Sequence, residues 1–286
     1  MAFSNEQDAK PQFHAPAADR QAGDKQLLDT QVWDKPGADR PDRVLIVLHQ
    51  ERSTPGRVGM ALAERGFKLD VRRPRFGDPL PTDMNDHAGA VIFGGPMSAN
   101  DTDAFVKQEI DWLKVPLSEQ KPFLGICLGA QMLAKHLGAN VGAHPGGLVE
   151  VGYYKLNPTE CGKSLLPWPD HVYHWHREGF EVPSGAELLA EGDAFPNQAI
   201  RVGPAAYGIQ FHPEVTLAMV HRWTSRASAM TLASGARGIQ THFSDRFAYD
   251  AAVRAWLDAF LDLWIGSARP CVETPVHVPA TAAAEM

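Results

Sequence analysis

The sequence predicts an α/β fold: a doubly wound, mostly parallel sheet with helices on both faces and a small antiparallel extension. Three observations predict it. Short apolar runs, suited to strands buried on both faces, alternate with segments of helical spacing. Glycine turns follow two of those runs, at the carboxyl ends where such sheets gather functional loops. Beyond the middle of the chain the runs become short and closely spaced, some of them antiparallel.

The elements follow in order. Arg43 to Leu48 reads as a buried parallel strand. Thr54 is the expected N-cap of a helix with Pro55 at its first position; the helix runs to Arg65 and Gly66 ends it. Lys68 to Arg72 and Ala88 to Phe93 are the second and third strands. Asp103 to Val115 has helical spacing, with Phe105, Ile110, Trp112 and Leu113 as core contacts and Pro116 as the stop. Phe123 to Ile126 is a fourth strand, and Gln131 to Leu137 lies in the helix after it. Val149 to Leu156, Glu187 to Ala190, Ala199 to Val202 and Ala206 to Phe211 are the later short strands. Leu217 to Arg226 reads as a helix, and Phe247 to Ile265 as a long final one. Its expected apolar face is Ala252, Ala255, Trp256, Ala259, Phe260, Leu263 and Trp264.

The body spans residues 43–266, with no internal repeat and no boundary dividing it. Residues 1–42 are polar and proline-bearing, and read as an arm that is largely disordered or docked through Leu27, Leu28, Val32 and Trp33 onto the domain or a second subunit. Residues 267–286 read as a loose tail. Of the 286 residues, 44% are hydrophobic, which suffices for a sizeable core. The net charge of −7, with acids and bases interspersed, argues against a general nucleic-acid partner. No apolar run is long enough to cross a membrane and the N-terminus has no signal pattern, so the cytoplasm is the default compartment. Three cysteines without Cys-x-x-Cys spacing predict neither a zinc site nor a disulfide.

Cys127 is the exception among them. It sits between a buried strand and a helix, with Gly125 two residues before and Gly129 two after. That is the build of a nucleophile elbow, in which a tight turn exposes the side chain and glycines allow backbone and substrate to come close. The helix aims its first amides at the sulfur, which favours a thiolate. A thiolate works with a base and a group that orients the base. His212 and Glu214, two apart across Pro213, can share one face of an extended segment, and Pro213 marks the end of regular pairing. A third segment, Phe93-Gly94-Gly95-Pro96, ends a strand in glycines that could expose an amide beside the thiol. With the amide of Leu128 it would form an oxyanion hole. Each part has a bland reading: a lone cysteine is ordinarily a small buried residue, and Gly-Gly-Pro is common turn chemistry. Together and in this order they favour catalysis.

From about Arg43 to Thr216, these three segments resemble the signatures of class I glutamine amidotransferase domains. The resemblance implies a flavodoxin-like sheet and a triad of Cys127, His212 and Glu214. It implies an oxyanion hole from Gly95 and Leu128, with Gln131 holding the amino-acid part of glutamine. Within the class, His174-Trp175-His176 followed by Phe180 resembles the substrate loop of the subgroup similar to the GMP synthase glutaminase domain. That adds His176 as a substrate-binding candidate. The subgroup usually continues Gly-Asp; here Arg177-Glu178 follows, which leaves the substrate open.

The expected activity is a cysteine-dependent amide hydrolase that releases ammonia from glutamine through a thioester and passes it to a separate synthetase subunit. Two alternatives stand beside it: a stand-alone hydrolase of γ-glutamyl peptides or amides, and a non-catalytic binding module of the same fold. No cofactor is expected, and a homo-oligomer is left open. His174, His176 and Glu178 alternate as metal ligands might, but they lie too far apart on a straight strand without a bend, so no metal site is expected. Cys161, in a turn-like stretch, and Cys271 read as incidental thiols. Ser98 reads as a cap rather than a nucleophile.

Overall fold

The computed structural model describes residues 41–226 and 229–266. The arm with Leu27, Leu28, Val32 and Trp33, and the tail with Cys271, lie outside the described residues. Twelve strands and seven α-helices follow one another in these. The strands are β1 (Arg43–Val47), β2 (Lys68–Arg72), β3 (Gly89–Ile92), β4 (Phe123–Ile126), β5 (Val141–Ala143), β6 (Glu150–Lys155), β7 (Asn157–Pro158), β8 (His171–His176), β9 (Glu178–Phe180), β10 (Ala186–Glu191), β11 (Ala199–Val202) and β12 (Ala206–Ile209). The helices are α1 (Gly56–Glu64), α2 (Ala104–Trp112), α3 (Lys114–Ser118), α4 (Leu128–His136), α5 (Glu160–Leu165), α6 (Leu217–Ser225) and α7 (Ile239–Gly266).

Eight strands form the main sheet in the order β2-β1-β3-β4-β12-β11-β10-β7. From β2 to β12 every pair is parallel, and β12-β11-β10-β7 is antiparallel, the expected extension. All of β3, β4 and β12 is buried, which is why these strands lack alternation in the sequence. One core layer packs β1, β4 and β12 against α1 and α7, through Leu62, Phe211, Trp256 and Trp264. The other packs the opposite face against α2 and α4, through Val106, Trp112, Met132 and Leu133. Helices therefore cover both faces. Two small ribbons, β5-β9 and β6-β8, lie outside the main sheet.

Four local expectations are corrected. Thr54 does not cap α1; the helix starts at Gly56 after Pro55, with no side-chain cap. The turn serves a close approach instead, since a Cβ on Gly56 would lie 2.2 Å from the Glu214 carbonyl oxygen. Pro116 does not stop a helix. The break comes at Leu113, and Pro116 sits in the first turn of α3, where an amide would have no intrahelical acceptor anyway. The expected core contacts around α2 hold, with Trp112 and Leu113 buried and Phe105 and Ile110 packed partly buried against the same layer; Glu109 is fully buried beside them. The buried face of α7 is Val253, Trp256, Leu257, Phe260, Leu261 and Trp264; Ala252, Ala255 and Ala259 face outward, because large side chains set which way an apolar helix rolls. Cys161 lies in α5, whose N-cap Thr159 accepts from the Gly162 amide at 3.1 Å.

Candidate active site

Three strand ends meet at one point of the sheet. β4 runs into Cys127, which has φ +52° and ψ −104°. These are the backbone angles of a tight turn that glycine usually supplies. The conformation is held from both sides: the Cys127 amide donates to Ile209 O at 2.8 Å, and Cys127 O accepts from the Gln131 amide at 3.0 Å. The flanking glycines do not make room for substrate. A Cβ on Gly129 would lie 2.1 Å from Ile92 O, and one on Gly125 would lie 2.5 Å from the Gly129 backbone. They let α4 press onto β3 and β4, which fixes where the sulfur stands.

β12 runs into His212-Pro213-Glu214. The His212 amide donates to Tyr173 O at 2.8 Å, a direct bond from this segment to the β6-β8 ribbon. His212 Nδ1 donates to Glu214 Oε1 at 2.7 Å, with both residues buried. Trp223 of α6 packs edge-on against the imidazole, 5.2 Å between centroids. Glu214 O accepts from the Arg57 amide at 2.8 Å, tying the segment to the start of α1.

β3 runs into Gly94 and Gly95. A Cβ on Gly94 would lie 2.8 Å from His212 Cε1 and 3.4 Å from Cys127 Cβ, so the imidazole and the cysteine converge on this glycine. Burial disfavours the imidazolium form of His212. The facing Glu214 carboxylate and the Cys127 sulfur outweigh it and raise the pKa to about 10. Among the described residues, the Gly95 amide makes no backbone hydrogen bond. Leu128 opens α4, where amides lack intrahelical acceptors. Cys127, Gly95, Gln131, His212 and Glu214 line one cavity of about 360 Å³, together with Trp175, Trp223 and Arg222.

The two substrate-binding candidates are placed differently from each other. Gln131 is buried on α4, and its Nε2 donates to Glu178 O at 2.8 Å and to Gln210 Oε1 at 3.1 Å. Both amide hydrogens are used, so its own carbonyl oxygen is what remains for a ligand. His176 lines the cavity, but both ring nitrogens are engaged within the protein. Nδ1 bonds Glu178 O at 3.0 Å, and Nε2 lies 3.0 Å from both Glu150 Oε2 and His174 Nδ1.

The alternating trio His174, His176 and Glu178 does not converge as a set. Glu178 contributes its carbonyl, and the carboxylate that joins the two histidines is Glu150 of the neighbouring strand, which also accepts from Gln198 Nε2 at 2.9 Å. Burial lowers the His174 pKa to about 3, against the pull of Glu150. Ser98 accepts from the Asn100 amide at 3.0 Å and is a turn cap. Sequence reasoning missed His49, whose Nδ1 bonds Gly94 O at 3.1 Å and whose Nε2 bonds Glu109 Oε2 at 2.7 Å. The one available signal was its position just after β1, at the same carboxyl end of the sheet as the three motifs.

The flavodoxin-like sheet and these strand-end segments define the class to which the comparisons also point. Residues 56–222 match the family model "Glutamine amidotransferase class-I", and the chain belongs to that family. It is 30% identical over 190 residues to the glutamine amidotransferase-like protein YfeJ of Salmonella typhimurium, covering 62% of this chain and 78% of that one. It is 35% identical over 133 residues to a glutamine-hydrolysing GMP synthase subunit of Thermococcus kodakarensis, covering 44% of this chain and 65% of that one. It spans only 26% of the GMP synthase of Porphyromonas gingivalis. Among solved structures, a glutamine amidotransferase from Methylobacillus flagellatus superposes with a TM-score of 0.74 at 26% identity, covering 80% of this chain and 96% of that one. One from Thermotoga maritima superposes at 0.71 and 27% identity, covering 79% and 99%. No helix among the described residues is long and apolar enough to cross a membrane.

Proposed function

We propose that this chain hydrolyses the side-chain amide of glutamine with Cys127 as nucleophile, His212 as acid and base, and Glu214 as the group that orients His212. The observation that carries the reading is the convergence of Cys127 and His212 on Gly94, with the His212–Glu214 hydrogen bond of 2.7 Å behind them. The sulfur attacks the amide carbon, and the amides of Gly95 and Leu128 take the developing oxyanion. His212 protonates the nitrogen, the C–N bond breaks, and ammonia leaves a thioester on Cys127. His212 then removes a proton from water, which attacks the thioester. The C–S bond breaks, the sulfur leaves as a thiolate paired with protonated His212, and glutamate departs. The free carbonyl oxygen of Gln131 accepts from the α-ammonium group of the substrate. His176, with both nitrogens engaged, shapes the wall.

The ammonia goes to a separate synthetase subunit in this reading. Support comes from the similarity to the GMP synthase subunit of Thermococcus kodakarensis. A specific observation favours a second reading, hydrolysis of larger γ-glutamyl amides without a partner. The cavity of about 360 Å³, whose lining adds Trp175, Trp223, Arg222 and Arg226 to Cys127 and Gln131, offers room for an amine larger than ammonia. The test is a panel of glutamine, γ-glutamyl amides and γ-glutamyl peptides, assayed for amine release by the isolated protein and by Cys127→Ala. Release abolished by the substitution supports the nucleophile, and the preferred donor separates the two readings. Unchanged turnover in Cys127→Ala overturns the assignment. Failure of every donor, together with no labelling of Cys127 by a thiol-reactive glutamine analogue, returns the chain to a binding role.

A further inference from the structure

We infer that His49 and Glu109 are positioning residues that set the oxyanion hole by locking the Gly94–Gly95 peptide; the inference rests on the proposed hydrolase reading. His49 and Glu109 are both fully buried, joined at 2.7 Å, and come from β1's end and the middle of α2. His49 Nδ1 faces Gly94 O at 3.1 Å. A carbonyl oxygen only accepts, so Nδ1 carries a hydrogen. The described peptide bonds are all trans, so the Gly94 carbonyl and the Gly95 amide point in opposite directions. Drawing the carbonyl toward His49 therefore turns the Gly95 N–H away from His49. That amide has no backbone acceptor among the described residues and borders the cavity that holds Cys127. Turned the other way, the same peptide would present an oxygen where an oxyanion must sit.

Two further observations point to a task beyond packing. A Cβ on Gly95 would lie 3.0 Å from His49 Cβ, so the imidazole is seated directly against this peptide. Glu109 Oε1 is buried without a hydrogen-bond partner, an expense that an apolar pair in the same space would avoid. With Nδ1–H given to Gly94, the contact between Nε2 and Glu109 needs one shared proton, whichever atom holds it. Glu109 then fixes the ring so that Nδ1 stays on the glycine carbonyl.

His49→Asn and His49→Gln separate the two ends of the ring. Asparagine places an amide donor near the Nδ1 position and keeps the bond to Gly94 O; glutamine reaches Glu109 and leaves Gly94 O without a donor. The expected result is a kcat about 10²-fold below the parent for His49→Gln, the usual loss for one oxyanion donor, with KM within about threefold. His49→Asn retains kcat within about tenfold. Glu109→Gln, which can donate to Nε2, stays within about fivefold. Crystal structures of the two His49 variants read the peptide directly: the Gly94 carbonyl stays in place in the asparagine form and turns toward Cys127 in the glutamine form. Equal losses in both variants, or an unmoved carbonyl in His49→Gln, overturn the inference. A parent protein inert toward every γ-glutamyl compound would instead sink the hydrolase reading, and the carbonyl orientation would still decide whether His49 sets this peptide.

Discussion

Replacing Cys127 by glycine should give a more stable protein than replacing it by alanine, the reverse of the usual order. With φ +52° and ψ −104°, position 127 lies outside every well that L-residues favour, including the left-handed one. Such strain costs about 1–3 kcal/mol, and this position sits toward the upper end. Glycine escapes that cost. Against it stand the greater freedom of glycine in the unfolded chain, about 1 kcal/mol, and the loss of one buried methyl, about 0.8 kcal/mol. The balance is about 1 kcal/mol in favour of glycine, or about 2–4 °C in melting temperature for a domain of this size. At an unstrained buried site the same arithmetic without the strain gives about 2 kcal/mol in favour of alanine. The two variants share the loss of the thiol, so their difference isolates the backbone. Urea denaturation at neutral pH measures it. A Cys127→Gly protein less stable than Cys127→Ala by about 1 kcal/mol or more would refute the strain argument.

Gly129→Ala should destabilise by about 3 kcal/mol or fail to fold, because its Cβ would meet Ile92 O at 2.1 Å and backbone cannot step aside; expression level and urea midpoint report it. Glu214→Gln keeps an acceptor for His212 but removes the charge that holds its pKa at about 10. We expect kcat/KM to fall roughly 10²- to 10⁴-fold, with the alkaline limb of the pH–rate profile moving to lower pH, as measured by amine release from about pH 6 to 10.5. His174 is held neutral down to about pH 3, while in the unfolded chain it takes a proton near pH 6.5. The unfolded state therefore binds more protons between these values, and stability falls as pH drops through that window, by up to about 1.4 kcal/mol per pH unit. His174→Phe should flatten that part of a urea-midpoint series against pH; an unchanged slope would show that the acid sensitivity lies elsewhere.

The parallel part of the sheet was legible because burial on both faces leaves unbroken apolar runs such as Val44–Val47, and the candidate site was legible because each motif follows such a run. What the sequence hid lies in contacts between distant segments. Glu109 repeats with Val106 and Trp112 at helical spacing, but a carboxylate on an apolar face has no visible partner until β1's end brings His49 beneath it, 60 residues away. Glu150 likewise joins His174 and His176 only through the β6-β8 pairing. The local signals at Thr54 and Pro116 were overridden by close packing at Gly56 and by the first-turn tolerance for proline. In α7 the spacing of alanines and aromatics fitted more than one face, and the volume of Trp256, Phe260 and Trp264 chose between them.

The ribbon of β6 and β8 forms no ladder with the main sheet, and the His212 amide bonded to Tyr173 ties it directly to the histidine segment. The sulfur and imidazole therefore rest on a floor whose geometry is set by parallel strands, while Trp175 and the ground around His176 belong to a separately built wall. Selection could remodel that wall, and with it the molecules admitted, without disturbing the strand ends underneath. Arg177, the single residue between β8 and β9, sits where such divergence between relatives would register first.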